Sequence, residues 1–337
     1  MKIINVYNKL QQKLEKKIKL KNSLNINLQV LKDFIIEQKL GKGSFSTVYK
    51  VLRITDNKIY ALKRIKLNTL TQKEQENALN EIRILASIKN EYIIRFKQAI
   101  YNEEMNELYI IMNFGEGGDL RQKIQILQQK NMFLEEKTIW NYIYQLTLGL
   151  KALHDVNIIH RDLKPSNVFF SKMQDQIFIA DLNIAKKINK YGFLYTQTGT
   201  PNYSSPEVWK YIPYNQKSDI WSLGCLIYEM TCLKPPFLSK DNEDLSKKIS
   251  KGYFEDIPSN YSQELNLFIK KMLNLNPEQR PLFVYIIKKK NIINLSNQIK
   301  NIQIKHIFYY FFQEKSIFYY NNILNILNKQ FFFFLTK

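Results

Sequence analysis

The sequence predicts an α+β chain of two lobes, a small β-rich half built on a small mixed sheet with one helix, followed by a larger and mainly helical half. Three observations carry this reading. From Phe34 the chain runs in short apolar, strand-like stretches broken by glycines; Gly117-Gly118 then punctuates it; and beyond that pair the apolar residues step by three and four. The change of period places a hinge between the halves.

Taken in order, residues 1–33 contain neither Gly nor Pro, and Leu10, Leu14 and Ile18 recur at every fourth position among lysines. That pattern fits either a short basic amphipathic helix or a solvated arm. Phe34-Ile35-Ile36 and Val48-Tyr49-Lys50-Val51 read as strands on either side of Gly41-Lys42-Gly43, and Tyr60-Ala61-Leu62-Lys63 and Leu108-Tyr109-Ile110-Ile111-Met112 read as two more. Lys73 to Ile88 between them reads as a helix. In the second half Ile139, Ile143, Leu146, Leu150 and Leu153 line one face of a core-facing helix. Residues 289–337 are rich in Phe, Tyr, Asn and Lys, including Phe331-Phe332-Phe333-Phe334, and show no clear period. They suit a docking helix or a chain end without a fold of its own. The resulting domains are a basic extension over 1–33, a catalytic domain over 34–288 with lobes 34–114 and 115–288, and a tail over 289–337.

A chain of 337 residues is long enough to divide its core in two. With 45% hydrophobic and 24% charged residues it is neither disordered nor fibrous. The net charge of +20 invites a nucleic-acid partner, but its position argues otherwise. Residues 1–33 hold eight lysines against Glu15 and Asp33, and residues 288–337 hold eight against Glu314, so most of the excess lies in the flanks. No nucleic-acid recognition motif accompanies it, and a chain rich in Lys, Asn, Ile, Phe and Tyr is what an A+T-rich coding sequence yields; no nucleic-acid partner is expected. Cys225 and Cys232 fall in an apolar, helical stretch as small hydrophobes, against a disulfide or a metal site. The N-terminus lacks the apolar core of a signal peptide, and polar residues break the aromatic tail well short of the ~20 residues of a membrane span. A soluble, intracellular protein is the expectation.

The chemistry concentrates in four places. Gly41 and Gly43 lack a Cβ and would let the backbone approach a polyphosphate, although a hairpin turn has the same look. Lys63 closes an apolar strand and needs an anionic partner, for which Glu81 on the predicted helix is the candidate. In His160-Arg161-Asp162-Leu163-Lys164-Pro165-Ser166-Asn167, Asp162 can accept a hydroxyl proton and Lys164 can neutralise a transferring phosphoryl group. Asn167 together with Asp181, after Ile177-Phe178-Ile179-Ala180, supplies hard oxygen ligands for Mg²⁺.

These segments, with Ser205-Pro206-Glu207, follow the order found in protein kinases, which the chain resembles over about 34–288. The resemblance implies a bilobal protein-kinase-like fold and the use of ATP and Mg²⁺. It implies a nucleotide site drawn from Gly41, Lys42, Gly43, Ser44, Val48, Ala61, Lys63, Met112, Phe114, Asp119 and Phe169. Within it Met112 would be the gatekeeper, Asn113-Phe114-Gly115 the adenine hinge and Asp119 the ribose contact. Catalytic roles fall to Asp162, Lys164, Lys63 and Glu81, with Lys63 paired to Glu81, and metal binding to Asn167 and Asp181. Glu207 would pair with Arg280, and Asp219 would brace the catalytic loop. Lys164-Pro165 and Gly199-Thr200-Pro201 resemble serine/threonine rather than tyrosine kinases. Leu40 to Tyr49, Ala78 to Ile88, Gly117-Gly118-Asp119-Leu120 and Ser205 to Lys210 resemble the NIMA-related (NEK) branch.

The NEK resemblance implies protein substrates phosphorylated on Ser or Thr, and roles in cell-cycle, centrosomal or ciliary microtubule control. The implied location is the cytoplasm, including cytoskeletal, centrosomal, basal-body or ciliary sites and the nucleus. Thr196 sits where an activating phosphate would be expected, with Arg161 as its partner. Two residues depart from the pattern: Ser46 stands for a third glycine, and Asn183 stands for the glycine after the metal-binding Asp181 and its neighbour, a place where Asn tolerates positive φ. The alternative these departures motivate is a pseudokinase scaffold.

Overall fold

A computed structural model describes residues 31–42, 46–181, 186–187 and 200–287. The N-terminal extension up to residue 30, Gly43, Ser44, Asn183, Thr196 and the tail beyond 287 lie outside the described residues, as does the side chain of Glu81.

Five strands build the N-lobe: β1 (Phe34–Lys42), β2 (Ser46–Arg53), β3 (Lys58–Lys66), β4 (Phe96–Asn102) and β5 (Glu107–Asn113), in the order β1-β2-β3-β5-β4. Every neighbouring pair is antiparallel, so the sheet is not mixed. The connections explain the correction. Tight turns join β2 to β3 and β4 to β5, and short connections between sequential neighbours give antiparallel pairs. β4 carries no apolar run to announce it, because Lys97, Ala99 and Tyr101 point outward from this edge strand. One helix, α1 (Gln72–Ser87), lies between β3 and β4.

The register sorts the sheet into two faces. Tyr49, Val51, Tyr60, Leu62, Tyr109 and Ile111 pack with Leu31, Phe34 and Ile36 into a buried cluster. Paired positions Val48↔Lys63 and Ala61↔Met112 therefore share the opposite face. Lys63 lies in mid-strand rather than at a strand end, since β3 continues through the cationic and apolar residues Arg64, Ile65 and Lys66.

The C-lobe holds α2 (Leu120–Gln129), α3 (Glu136–Asp155), the short α4 (Pro206–Trp209), α5 (Lys217–Cys232), α6 (Asn242–Lys251) and α7 (Gln263–Met272). Between α3 and α4 come β6 (Ile158–Ile159), β7 (Val168–Phe170), β8 (Ile177–Ile179) and β9 (Lys186–Lys187), paired as the hairpin β7–β8 and the ladder β6–β9. Ile139, Ile143, Leu146, Leu150 and Leu153 are all buried, as their spacing predicts. Residues Ser218 to Thr231 of α5 are buried all round, which makes it the central helix. Its Gly224 lets α7 come close: a Cβ there would stand 2.9 Å from that of Met272. Cys225 is buried and Cys232 half-buried, and both are free thiols. Among the described residues no helix is long and apolar enough to cross a membrane.

Candidate active site

A loop leaves β6 at Ile159 and runs without regular structure until a 3-10 turn over Pro165–Asn167, so its polar backbone needs partners from elsewhere. Asp219, in the first turn of α5, supplies them. Its carboxylate accepts the backbone N–H of His160 at 2.9 Å and of Arg161 at 3.0 Å, and the His154 ring at 2.7 Å. Burial pushes the Asp219 carboxyl up, but the hydrogen bond and charge of His154 and the backbone donors hold it below its ordinary value. The His160 ring links the loop to the next segment. Its Nε2 donates to the Ala180 carbonyl at 3.1 Å and its Nδ1 accepts from Asp162 N at 3.2 Å, two contacts that select one tautomer. Arg161 takes φ of +72° and Asp181 of +63°, left-handed values that non-glycine residues adopt at an energetic cost.

At the loop's centre three side chains close a triangle. The Asp162 carboxylate accepts from the Thr200 hydroxyl at 2.7 Å and pairs with Lys164 Nζ at 2.7 Å, while Lys164 also donates to the Thr200 hydroxyl at 2.7 Å. Asn167 Nδ2 donates to the Asp162 carbonyl at 2.8 Å and to its Oδ2 at 3.1 Å. Both carboxylate oxygens are thereby oriented, and Asn167 keeps its amide oxygen as an acceptor.

Across the cleft, buried Lys63 points its ammonium at Asp181 Oδ1, 3.6 Å away. The expected contact with Glu81 lies outside the described side chains. Val48, Ala61, Lys63 and Met112 share the sheet face given above, which puts four of the predicted nucleotide residues together. After the hinge the chain is zipped onto β7: Gly117 N donates to the Phe170 carbonyl at 3.1 Å, Phe170 N to the Gly118 carbonyl at 2.9 Å, and Asp119 bridges Phe169. Gly115 rests on Phe169, where a Cβ would stand 2.6 Å from that of the ring residue. Phe114 carries Lys50 Nζ over its ring at 5.7 Å. The Asp119 carboxylate caps α2 by accepting from Gln122 N at 2.8 Å, in addition to any ligand role. Gly41 and Lys42 end β1 in exposed positions.

Asn167 and Asp181 offer hard oxygen donors and no sulfur or imidazole, a set suited to Mg²⁺ that shares phosphate and water ligands. Among the described residues no cluster of three His, Cys, Asp or Glu forms a protein-only metal cage.

The segment that carries Thr200 is anchored at its far end. Arg280 donates to both oxygens of Glu207, at 2.6 and 2.8 Å, and Ser218 adds a hydroxyl at 2.7 Å. Arg280 and Glu207 are both buried, and the guanidinium also lies 5.1 Å from the Trp221 ring centroid.

A carboxylate, a lysine, an amide and a second carboxylate thus converge on a cleft between lobes in the order the sequence presents them. Matching against family models agrees, with the protein kinase domain covering residues 34–292. The chain belongs to the protein kinase family. Among curated proteins the chain is similar to a probable serine/threonine-protein kinase nek2 of Dictyostelium discoideum, 38% identical over 72% of this chain and 58% of that one. It is likewise similar to human Nek2, at 37% over 78% and 60% of the two chains, and to mouse Nek3, at 36% over 74% and 47%. These relatives carry Nek names and are what the chain is similar to within the family. The chain spans about half to three-fifths of the length of these three relatives.

One contributor escaped the sequence reading, and another was read there only as a mark of serine/threonine specificity. His154, at the end of α3, carries no local signal beyond being a histidine on the buried face of a helix. Thr200 stands in a recognisable Gly-Thr-Pro run, but its contact with Asp162 spans 38 residues and is a property of the fold.

Proposed function

We propose that the kinase transfers the γ-phosphate of ATP to serine and threonine hydroxyls of proteins, with Mg²⁺ as its metal. The observation that carries this is the orientation of Asp162 by Thr200, Lys164 and Asn167 together, which leaves a carboxylate fixed where an incoming hydroxyl could deliver its proton. Lys164, beside that carboxylate, supplies positive charge to the phosphoryl group as it moves. Lys63 does the same from the sheet side for the phosphates that stay behind. Asn167 and Asp181 would hold the metal, which when bound neutralises charge on the phosphate oxygens. The hinge strap and Phe169 shape an apolar slot for the base.

NEK kinship favours substrates and partners in cell-cycle, centrosomal or ciliary microtubule control, and a cytoplasmic or cytoskeletal location. The scaffold alternative offers no reason for Lys63, Asp162, Lys164, Asn167 and Asp181 to be assembled around one cleft.

The test is transfer of labelled γ-phosphate from Mg-ATP to casein by the full chain beside Asp162→Asn, a change that keeps shape and removes the proton acceptor. Loss of such a group typically lowers the rate ~10²–10⁴-fold. If the folded parent and Asp162→Asn are equally silent, also after treatment with an upstream kinase, the scaffold reading replaces this one.

A further inference from the structure

The hinge-side end of the N-lobe sheet gathers cations that phosphotransfer does not use. Arg53 ends β2 and stands directly opposite Lys58, which begins β3. Like charges at opposed positions of an antiparallel pair repel, so this placement is locally unfavourable. Two more cations approach from the other side of β3. Arg95 is tied to the hinge, its carbonyl accepting Asn113 N at 2.9 Å, and Lys97 points outward from the edge strand β4. One ring spaces the group: the Arg53 guanidinium lies 4.5 Å from the Tyr60 centroid and Lys97 Nζ 6.0 Å from it.

Among the described residues two carboxylates answer these four cations. Asp56 is engaged by Arg53 and by the Tyr60 hydroxyl at 2.7 Å, and the charge of Asp33 also reaches Arg53. Partial burial, then the charges of Arg95, Arg53 and Lys58, hold the Lys97 ammonium below its ordinary value. A lone lysine on an edge strand is an ordinary guard against unwanted strand pairing. That role needs neither an opposed Arg–Lys pair nor a further cation just ahead of β4.

We propose that this corner of the N-lobe docks an acidic peptide segment of a protein partner, whose Glu and Asp carboxylates replace the missing counter-charges beside Lys58, Arg95 and Lys97. The occupant comes from another molecule, because apart from Asp33 the flanks of this chain carry eight lysines each against Glu15 and Glu314 and would be repelled. Tyr60 is only 4% exposed, so the patch presents no open ring on which a nucleic-acid base could stack. A peptide bound here would lie beside the hinge, outside the cleft.

The experiment uses the full chain and a fluorescein-labelled peptide rich in Glu and Asp at physiological salt. Lys58→Glu/Lys97→Glu is compared with Lys172→Glu/Lys240→Glu, which changes net charge equally at exposed positions elsewhere. The patch variant should weaken binding about tenfold or more, the effect of one strong contact, while the control pair leaves it unchanged. Carbodiimide coupling should join peptide carboxylates to Lys58 and Lys97, and phosphotransfer to a short neutral peptide should be the same in both variants. Equal weakening by the two variants, or coupling confined to lysines of 1–33 and 288–337, overturns the proposal. Tighter, patch-dependent binding of a single-stranded oligonucleotide or of phosphatidylserine vesicles at the same salt overturns it in favour of a different polyanion.

Discussion

Each lobe buries one arginine against one glutamate, and the two pairs are built alike. Arg64 donates to both oxygens of Glu107 at 2.8 and 2.6 Å, and Arg280 to both oxygens of Glu207 at 2.6 and 2.8 Å. Each carboxylate also takes a hydroxyl, from Tyr109 at 2.6 Å or from Ser218 at 2.7 Å. They differ in what they join. Arg64 and Glu107 sit on β3 and β5, whose backbone ladder already fixes their distance. Arg280 ties α4 to a loop 73 residues away and adds bonds to the carbonyls of Asn274 and Lys217. The sheet pair is a filler of a polar gap in a frame held by other forces; the helical-lobe pair is itself the joint.

The largest expected effect comes from removing one partner. Arg280→Met or Arg64→Met leaves a buried carboxylate uncompensated and should each cost about 3–5 kcal/mol of stability by urea unfolding. The comparison separates them in activity: per folded molecule Arg64→Met should phosphorylate casein like the parent, and Arg280→Met should be strongly impaired. Replacing both partners by apolar residues, Arg64→Met/Glu107→Leu, should restore stability to near the parent, as buried pairs often allow. The matching change at Arg280 and Glu207 should leave activity low, and full activity there would erase the distinction drawn between the pairs.

Smaller effects follow from the hydroxyls. Tyr109→Phe and Ser218→Ala each remove one hydrogen bond to a charged group, worth about 1.5–3 kcal/mol in thermal or urea unfolding.

The smallest effect is a pH slope. Burial pushes the Glu207 carboxyl up, but the hydrogen bond and charge of Arg280 and the Ser218 hydroxyl hold it below its ordinary value. Its folded pKa is therefore depressed, so the pair stabilises fully above about pH 4.3 and the contribution drains as pH falls below that, by at most ~1.4 kcal/mol per pH unit for one proton. Asp219 is shifted in the same direction and adds to the acid sensitivity. Arg280→Met should flatten the acid limb of a stability–pH curve by about one proton, and an unchanged limb would show that Glu207 is not its source.

How much of this was legible in the sequence follows the same division. Glu207 with Arg280 could be anticipated because both sit in runs of distinctive residues, Ser-Pro-Glu and Asn-Pro-Glu-Gln-Arg-Pro, tied to a known order. Arg64 with Glu107 could not, since each is one more charge in a strand and their meeting depends on the β3–β5 register. The strands read correctly were those with apolar runs; β4 was missed because an edge strand alternates and exposes its polar side. The antiparallel sheet follows from connection lengths rather than composition. At the site, Asp162, Lys164, Asn167 and Asp181 were readable because their chemistry is tied to local spacing. The Thr200 and His154 contacts were not, because α5 and the segment before α4 bring them together only in three dimensions.

The backbone at Arg161 and Asp181 leads to a conclusion about selection. Both residues hold left-handed φ values that glycine would adopt freely, at a penalty of about 1–3 kcal/mol each. Asp181→Gly would thus relax the chain while deleting a carboxylate from the cleft, and Arg161→Gly would relax it while deleting a side chain from the loop that carries Asp162. Pressure for robustness and pressure for chemistry point to different amino acids at the same two positions. A directed-evolution search scored on thermal endurance alone would be drawn toward glycine there, and would drift away from catalysis as it succeeded.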